Sequence, residues 1–133
     1  MKTAAIYCRV STISQGKKIA TLETQLENCL AYCQGKGYEV AYRFDELSPG
    51  VSLQRPELIK LRELVKSAQI DILVIYAMDR LSRVSKHLMI LAQELKKYGV
   101  QLEVVNETVD DLDLTTWAGA VRAFEAKATS DSV

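Results

Sequence analysis

The run Ile70-Asp71-Ile72-Leu73-Val74-Ile75-Tyr76 is the hardest constraint in the chain. It is apolar and mostly β-branched, with almost no alternation. A strand built from it has no face it can leave in water, so it belongs at the centre of a parallel sheet covered on both sides. The rest of the chain must supply the covering layers.

Helical periods surround it. Leu22, Leu26, Cys29, Leu30 and Cys33 form one apolar stripe, started by Thr21 as a cap and ended by Gly35 and Gly37. Leu58, Leu61, Val65 and Ala68 mark a second helix, opened by Pro56, whose missing N–H costs nothing in a first turn. Leu88, Leu91, Ala92, Leu95 and Tyr98 mark a third, stopped at Gly99, and residues 117–124 begin a last one. Three further strands are expected. Ala4-Ala5-Ile6-Tyr7-Cys8 is a buried run that stops at Arg9. Tyr38, Val40, Tyr42 and Phe44 alternate with Glu39, Ala41 and Arg43, as in an edge strand with one polar face. Residues 100–105 are the fourth strand, and the acidic stretch 106–114 leaves room for a short fifth edge strand near Thr108.

Strands and helices therefore alternate, which implies an α/β fold of three layers: a mostly parallel sheet with helices on both faces. Right-handed crossovers leave few topologies. The flavodoxin-like order 2-1-3-4 sets strands one and three side by side and puts a switch point between them, where open sheets bind ligands. At 133 residues, with 48% apolar and 26% charged residues, the chain is expected to be one domain with a full core. Cys8, Cys29 and Cys33 are odd in number and widely spaced. They are expected to be buried thiols of a cytoplasmic protein, and no second Cys or His pair completes a metal site. No signal core follows Met1, and no apolar run approaches the ~20 residues of a membrane helix.

That topology gathers Arg9, Ser11, Gln15, Asp79, Arg80 and Arg83 in one crevice, and the long loop 45–55 can add Arg55. Four arginines around one serine repel each other unless an anion sits among them, and guanidinium pairs bidentately with phosphate. A phosphate-centred site is expected, against the plainer alternative of a solvated basic face. There is no Gly-x4-Gly-Lys-Ser/Thr loop and no Gly-x-Gly-x-x-Gly after the first strand. A cysteine phosphatase would need arginine six residues after Cys8, where Ser14 stands, and the carboxylates are too scattered for a two-metal nuclease. A hydroxyl nucleophile attacking a phosphodiester, with arginines stabilising the transition state, remains; no metal or cofactor is expected. Asp79, an arginine, the phosphate field or His87 are each open as the route for the serine proton. Because the formal net charge is zero, tight DNA binding by this chain alone is not indicated.

Tyr7-Cys8-Arg9-Val10-Ser11-Thr12 with Gln15, Leu22-Glu23-Thr24-Gln25-Leu26, Arg55-Pro56, Asp79-Arg80-Leu81-Ser82-Arg83 and Gly119 together resemble the motifs of the serine recombinases: resolvases, invertases and large serine integrases. The resemblance covers about residues 3–125. It implies that Ser11 attacks DNA and forms a 5′-phosphoserine bond, which conserves bond energy so that rejoining needs neither ATP nor metal. It implies catalytic roles for Ser11, Arg9, Arg55, Asp79, Arg80 and Arg83, with Tyr7, Gln15 and Gln25 at the DNA phosphate. It further implies a double-stranded recombination site as partner, and dimers and tetramers of the full-length protein. The spacing to the first helix and the extra residues around Gly16 are similar to the large integrase or transposase branch. Pro49 departs from the family pattern by separating Ser48 from Gly50, which bears on Arg55. Residues 1–133 read as a catalytic domain cut within the dimerisation helix, before a DNA-binding region. A non-catalytic anion-binding domain of the same fold and a small-molecule phosphotransferase are the alternatives.

Overall fold

The computed structural model describes residues 1–10, 21–48 and 53–106. Four parallel strands, β1 (Thr3–Val10), β2 (Glu39–Leu47), β3 (Ile72–Ile75) and β4 (Gln101–Val104), form one sheet in the order β2-β1-β3-β4. The helices are α1 (Leu22–Lys36), α2 (Pro56–Lys66), the short α3 (Met78–Leu81) and α4 (Ser85–Lys97). This is the expected α/β architecture with the expected order. The last helix at 117–124 and the short strand near Thr108 lie outside the described residues.

The two central strands carry the core. All of β3 is buried, as its unbroken apolar run requires. Alternate residues of β1 serve opposite layers. Ala5 and Tyr7 pack with Leu73 and Ile75 against Leu58, Leu61 and Val65 of α2 and Leu88, Leu91 and Leu95 of α4. Ala4, Ile6 and Cys8 pack with Ile72 and Val74 against Cys29 and Cys33 of α1. Burying a side chain such as Leu58 or Leu88 is worth roughly 1.5–3 kcal/mol. All three cysteines are buried and unbridged.

Thr21 caps α1 as expected, its hydroxyl accepting from Thr24 N at 3.1 Å. The end of that helix differs: Gly35 lies inside it, and Gly37 alone, at φ 76°, forms the left-handed cap. Leu30 is 40% exposed, and Gln25 occupies the buried stripe instead. Ala68 is also exposed. It lies beyond the end of α2 with φ 58°, a turn position rather than a core one.

Two strands run further than expected. β1 continues through Arg9 and Val10, and β2 continues through Asp45, Glu46 and Leu47, because those residues stay paired: Cys8 with Asp45, Arg9 with Glu46 and Val10 with Leu47. The connection to α2 shortens accordingly. Charged side chains obscured this in the sequence, yet the period of two holds, since Phe44 and Glu46 are both buried while Arg43, Asp45 and Leu47 are exposed. After β3, Met78–Leu81 coils into one helical turn.

Candidate active site

β1 and β3 are adjacent, so Arg9 at the end of one meets Asp79, Arg80 and Leu81 beyond the end of the other. Arg9 is fully buried. Its Nε donates to the Arg80 carbonyl at 3.0 Å, Nη2 to the Asp79 carbonyl at 2.6 Å and Nη1 to the Ser48 carbonyl at 2.8 Å. Arg80 Nη1 returns a bond to the Arg9 carbonyl at 3.4 Å. Arg55, also buried, donates Nη2 to the Leu81 carbonyl. Two guanidiniums therefore satisfy three successive carbonyls of α3, groups that the C-terminal end of a helical turn leaves without intrahelical partners.

The backbone of Arg9 is held as firmly as its side chain. Its N–H donates to Gln25 Oε1 at 3.1 Å, and its carbonyl accepts from Gln25 Nε2 at 3.0 Å. The buried amide of Gln25 thus pairs with β1 as a neighbouring strand would. Tyr7 donates its phenol to Glu46 Oε1 at 3.0 Å, and the Arg55 guanidinium lies 5.7 Å from the centre of its ring. Burial pushes the Tyr7 phenol far up, against a smaller opposing pull from Arg55. Tyr7 is therefore a hydrogen-bond donor here at any physiological pH.

The cationic character of the site follows from this packing. Burial, then the neighbouring Arg55, lowers Arg9 to about 10, and burial also lowers Arg55. Both remain charged near neutral pH, and both gain from an anion brought close. Arg55 Nε and Nη1 are buried without a hydrogen-bond partner among the described residues. Asp79 Oδ1 lies 3.5 Å from Arg80 Nε, an ion pair without hydrogen-bond geometry. Arg83 is exposed at the rim. His87 sits in the first turn of α4, its Nδ1 buried and without a partner among the described residues.

Of the residues expected at the site, the fold brings Tyr7, Arg9, Gln25, Arg55, Asp79 and Arg80 into one hydrogen-bonded or ion-paired cluster, and Arg83 follows α3 by two residues. Ser11 and Gln15 lie outside the described residues. Glu46 was missed, although its place two residues after Phe44 in an alternating strand was a signal. Among the described residues no three His, Cys, Asp or Glu side chains gather in a metal-binding group, and no helix is long and apolar enough to cross a membrane.

Residues 4–132 match the family described as Resolvase, N terminal domain. The chain is 37% identical over 102 residues to a Bacillus subtilis (strain 168) protein named "Putative DNA recombinase", covering 77% of this chain and 20% of that protein. It is 29% identical over 104 residues to the DNA-invertase of Escherichia phage P1, covering 78% of this chain and 49% of the invertase. It thus spans at most about half of these relatives. Among solved structures, the C-terminal catalytic domain of ISC1926 TnpA, an IS607-like serine recombinase, superposes with a TM-score of 0.71 at 33% identity, over 80% of this chain and 72% of that one. The N-terminal catalytic domain of TP901-1 integrase superposes with a TM-score of 0.78 at 23% identity, over 98% and 97%, a likeness of fold. With a family match over nearly its whole length and this architecture, the chain belongs to the resolvase family of serine recombinases and carries that family's N-terminal catalytic domain.

Proposed function

We propose that residues 1–133 are the catalytic domain of a site-specific DNA recombinase that cuts and rejoins double-stranded DNA through Ser11. The observation that carries this reading is the convergence of Arg9, Arg55 and Arg80 at the ends of β1 and β3, with Arg83 at the rim, in a chain where Ser11 directly follows β1. In the proposed step the Ser11 oxygen forms a bond to the scissile phosphorus. The bond from phosphorus to the 3′ oxygen breaks, and that oxygen leaves as a hydroxyl carrying a proton. The serine proton passes to a base or to solvent. The protein stays joined to the 5′ phosphate, and the reverse attack by a 3′ hydroxyl reseals the strand without nucleotide or metal.

The arginines supply what this step needs, preorganised positive charge where the non-bridging oxygens gain negative charge. Arg80 and Arg83 are the proposed direct contacts, together with Gln15. Asp79 orients Arg80. Arg9, Arg55, Tyr7 and Gln25 hold the frame as well as adding charge or hydrogen bonds near the phosphate. A dimer or tetramer of the parent protein on its recombination site is the proposed acting species. The identity with a much longer Bacillus subtilis protein and with an IS607-like catalytic domain supports a place in the large integrase or transposase branch.

The test is covalent trapping. The parent protein is given its recombination-site duplex with a nick that prevents religation, and the protein–DNA adduct is mapped by peptide mass. An adduct on Ser11 that is absent in Ser11→Ala is expected. Site binding and assembly without any adduct would replace this reading with a non-catalytic anion-binding domain.

A further inference from the structure

Glu46 is 3% exposed near the C-terminal end of β2, and its carboxylate accepts three hydrogen bonds. Tyr7 donates its phenol to Oε1 at 3.0 Å, Leu58 N donates to Oε1 at 2.9 Å and Glu57 N donates to Oε2 at 3.2 Å. Glu57 and Leu58 follow Pro56 in the first turn of α2. Their N–H groups are among those a helix start leaves without intrahelical partners. A Ser, Thr or Asp at the cap position ordinarily takes such a bond. Here the cap position is Arg55, in extended backbone at φ −108° and ψ 125°, with no side-chain cap bond. The capping carboxylate comes from the neighbouring strand instead, and it brings a negative charge to the positive end of the helix.

Arg55 is consequently fixed at three points. Its backbone leads into a helix start anchored by Glu46. Its guanidinium lies over the ring of Tyr7, whose hydroxyl Glu46 also holds. Its far nitrogen donates to the Leu81 carbonyl. Two of the three points run through one carboxylate. We propose that Glu46 is a positioning residue of the phosphoryl-transfer site, acting through Arg55; this rests on the catalytic reading above. Removing it frees the start of α2 and the ring of Tyr7 together, and the guanidinium of Arg55 with them.

The test measures the rate constant of Ser11 adduct formation by the parent protein on the nicked duplex, at saturating DNA. Wild type, Glu46→Gln and Glu46→Ala are compared, each with Arg55 intact and with Arg55→Ala. Glutamine keeps one oxygen, which in place of Oε1 still accepts from the Tyr7 phenol and Leu58 N while the bond from Glu57 N is lost, whereas alanine keeps none of the three. A loss of folded protein lowers the amplitude of the reaction and leaves its rate constant alone. Glu46→Ala is expected to lower the rate constant about 100-fold, the scale of a small misplacement of a reacting group. Glu46→Gln is expected to lower it less, with DNA affinity within about twofold of wild type in both. With Arg55→Ala in place, Glu46→Ala should lower it by less than about threefold, since residues acting through one another are not additive. An unchanged rate constant in Glu46→Ala, or the full fall repeated without Arg55, overturns the proposal. If Glu46→Ala does not fold, the same cycle with Glu46→Gln decides it, by whether its fall depends on Arg55. If the wild type forms no adduct, the catalytic reading has failed instead. Amide exchange then decides the anchoring: quickening of at least about tenfold at Glu57 and Leu58 in the Glu46 variants, with β1 unchanged, is expected, and unchanged exchange there overturns it.

Discussion

Arg9 and Arg80 each reach the other's backbone carbonyl, Arg9 through Nε at 3.0 Å and Arg80 through Nη1 at 3.4 Å. This exchange ties the end of β1 to the helical turn after β3, and the remaining arms of Arg9 extend the tie to Ser48 and Asp79. The residue is therefore structural as well as electrostatic. Arg9→Ala strands three buried or half-buried carbonyls and should cost about 3 kcal/mol or more, since each buried polar group left without a partner costs roughly 1–3 kcal/mol. Arg9→Lys should recover only part, because an ammonium lacks the planar fork that meets three carbonyls at once. Urea unfolding of the three proteins checks this; matching midpoints would show that the carbonyls find other donors.

Arg83 should behave in the opposite way. It is exposed and follows the clustered part of the motif. Arg83→Ala should shift stability by less than about 0.5 kcal/mol, as surface changes do. Strand cleavage by the parent protein should nevertheless fall roughly 100- to 1,000-fold, the usual loss when one transition-state donor is removed. The comparison needs unfolding curves and adduct rates on the same preparations. Undiminished cleavage would place Arg83 outside the reaction.

The contrast between these two arginines shows what could be read from the sequence. Periodicity and order left few sheet arrangements, with 2-1-3-4 among them, because an unbroken apolar strand at 72–75 must lie inside the sheet. The convergence of Arg9 with Arg80 followed from that order alone. Which arginine is buried did not follow. The motif letters are the same at Arg9 and Arg83, and burial depends on carbonyls delivered by Ser48, Asp79 and Arg80, groups every residue carries. Glu46 was hidden for a related reason. A charged residue after an alternating apolar strand reads as the start of a loop, and only its three donors, from β1 and α2, make its burial tolerable.

Gln25 offers a separate test of the frame. Both ends of its amide are committed to the backbone of Arg9, so its first duty is to hold β1 in place. Gln25→Ala should cost about 2–3 kcal/mol by leaving a buried N–H and a buried carbonyl without that partner. Gln25→Glu should cost more at neutral pH, because a carboxylate oxygen replaces the donor facing the Arg9 carbonyl. Its deficit should shrink as the solution is acidified and the carboxyl protonates. Unfolding curves at pH 7 and pH 5 separate the cases, and a deficit that does not change would contradict this arrangement of the amide.

Ala68 carries a strain that is easily relieved. It is exposed, with φ 58°, and donates its N–H to the Val65 carbonyl at 3.1 Å just past the end of α2. A Cβ in the left-handed region costs roughly 1–2 kcal/mol, while glycine gives back roughly 0.4–1 kcal/mol through the entropy of the unfolded chain. Ala68→Gly should therefore stabilise the protein by about 0.5–1 kcal/mol without affecting the site. A lowered melting temperature would show that the turn is not held in this conformation.

Alkaline pH should unfold the protein through its buried and half-buried acids. Burial, then Cys29 and Glu103, raises Cys33 from 9.0 to about 11. The hydrogen bond to Glu103, then burial, raises Tyr38 from 10.0 to about 12. Cys8, Tyr7 and Tyr32 are raised as well, Cys8 chiefly by its hydrogen bond with Cys29 and the tyrosines chiefly by burial. For such groups the unfolded chain loses its protons first. Stability is intact below the unfolded value and is lost as pH climbs from there through the folded value. Arg9 and Arg55 work against this, since both are lowered in the fold and the unfolded chain keeps their protons longer. The acids begin earlier and are more numerous, so unfolding free energy under reducing conditions should fall steadily between pH 9 and pH 11. Cys33→Ala should flatten the early part of that fall and Tyr38→Phe the later part. Urea titrations at pH 8, 9, 10 and 11 measure both effects, and a wild-type stability that held constant to pH 11 would mean that the arginines offset the acids.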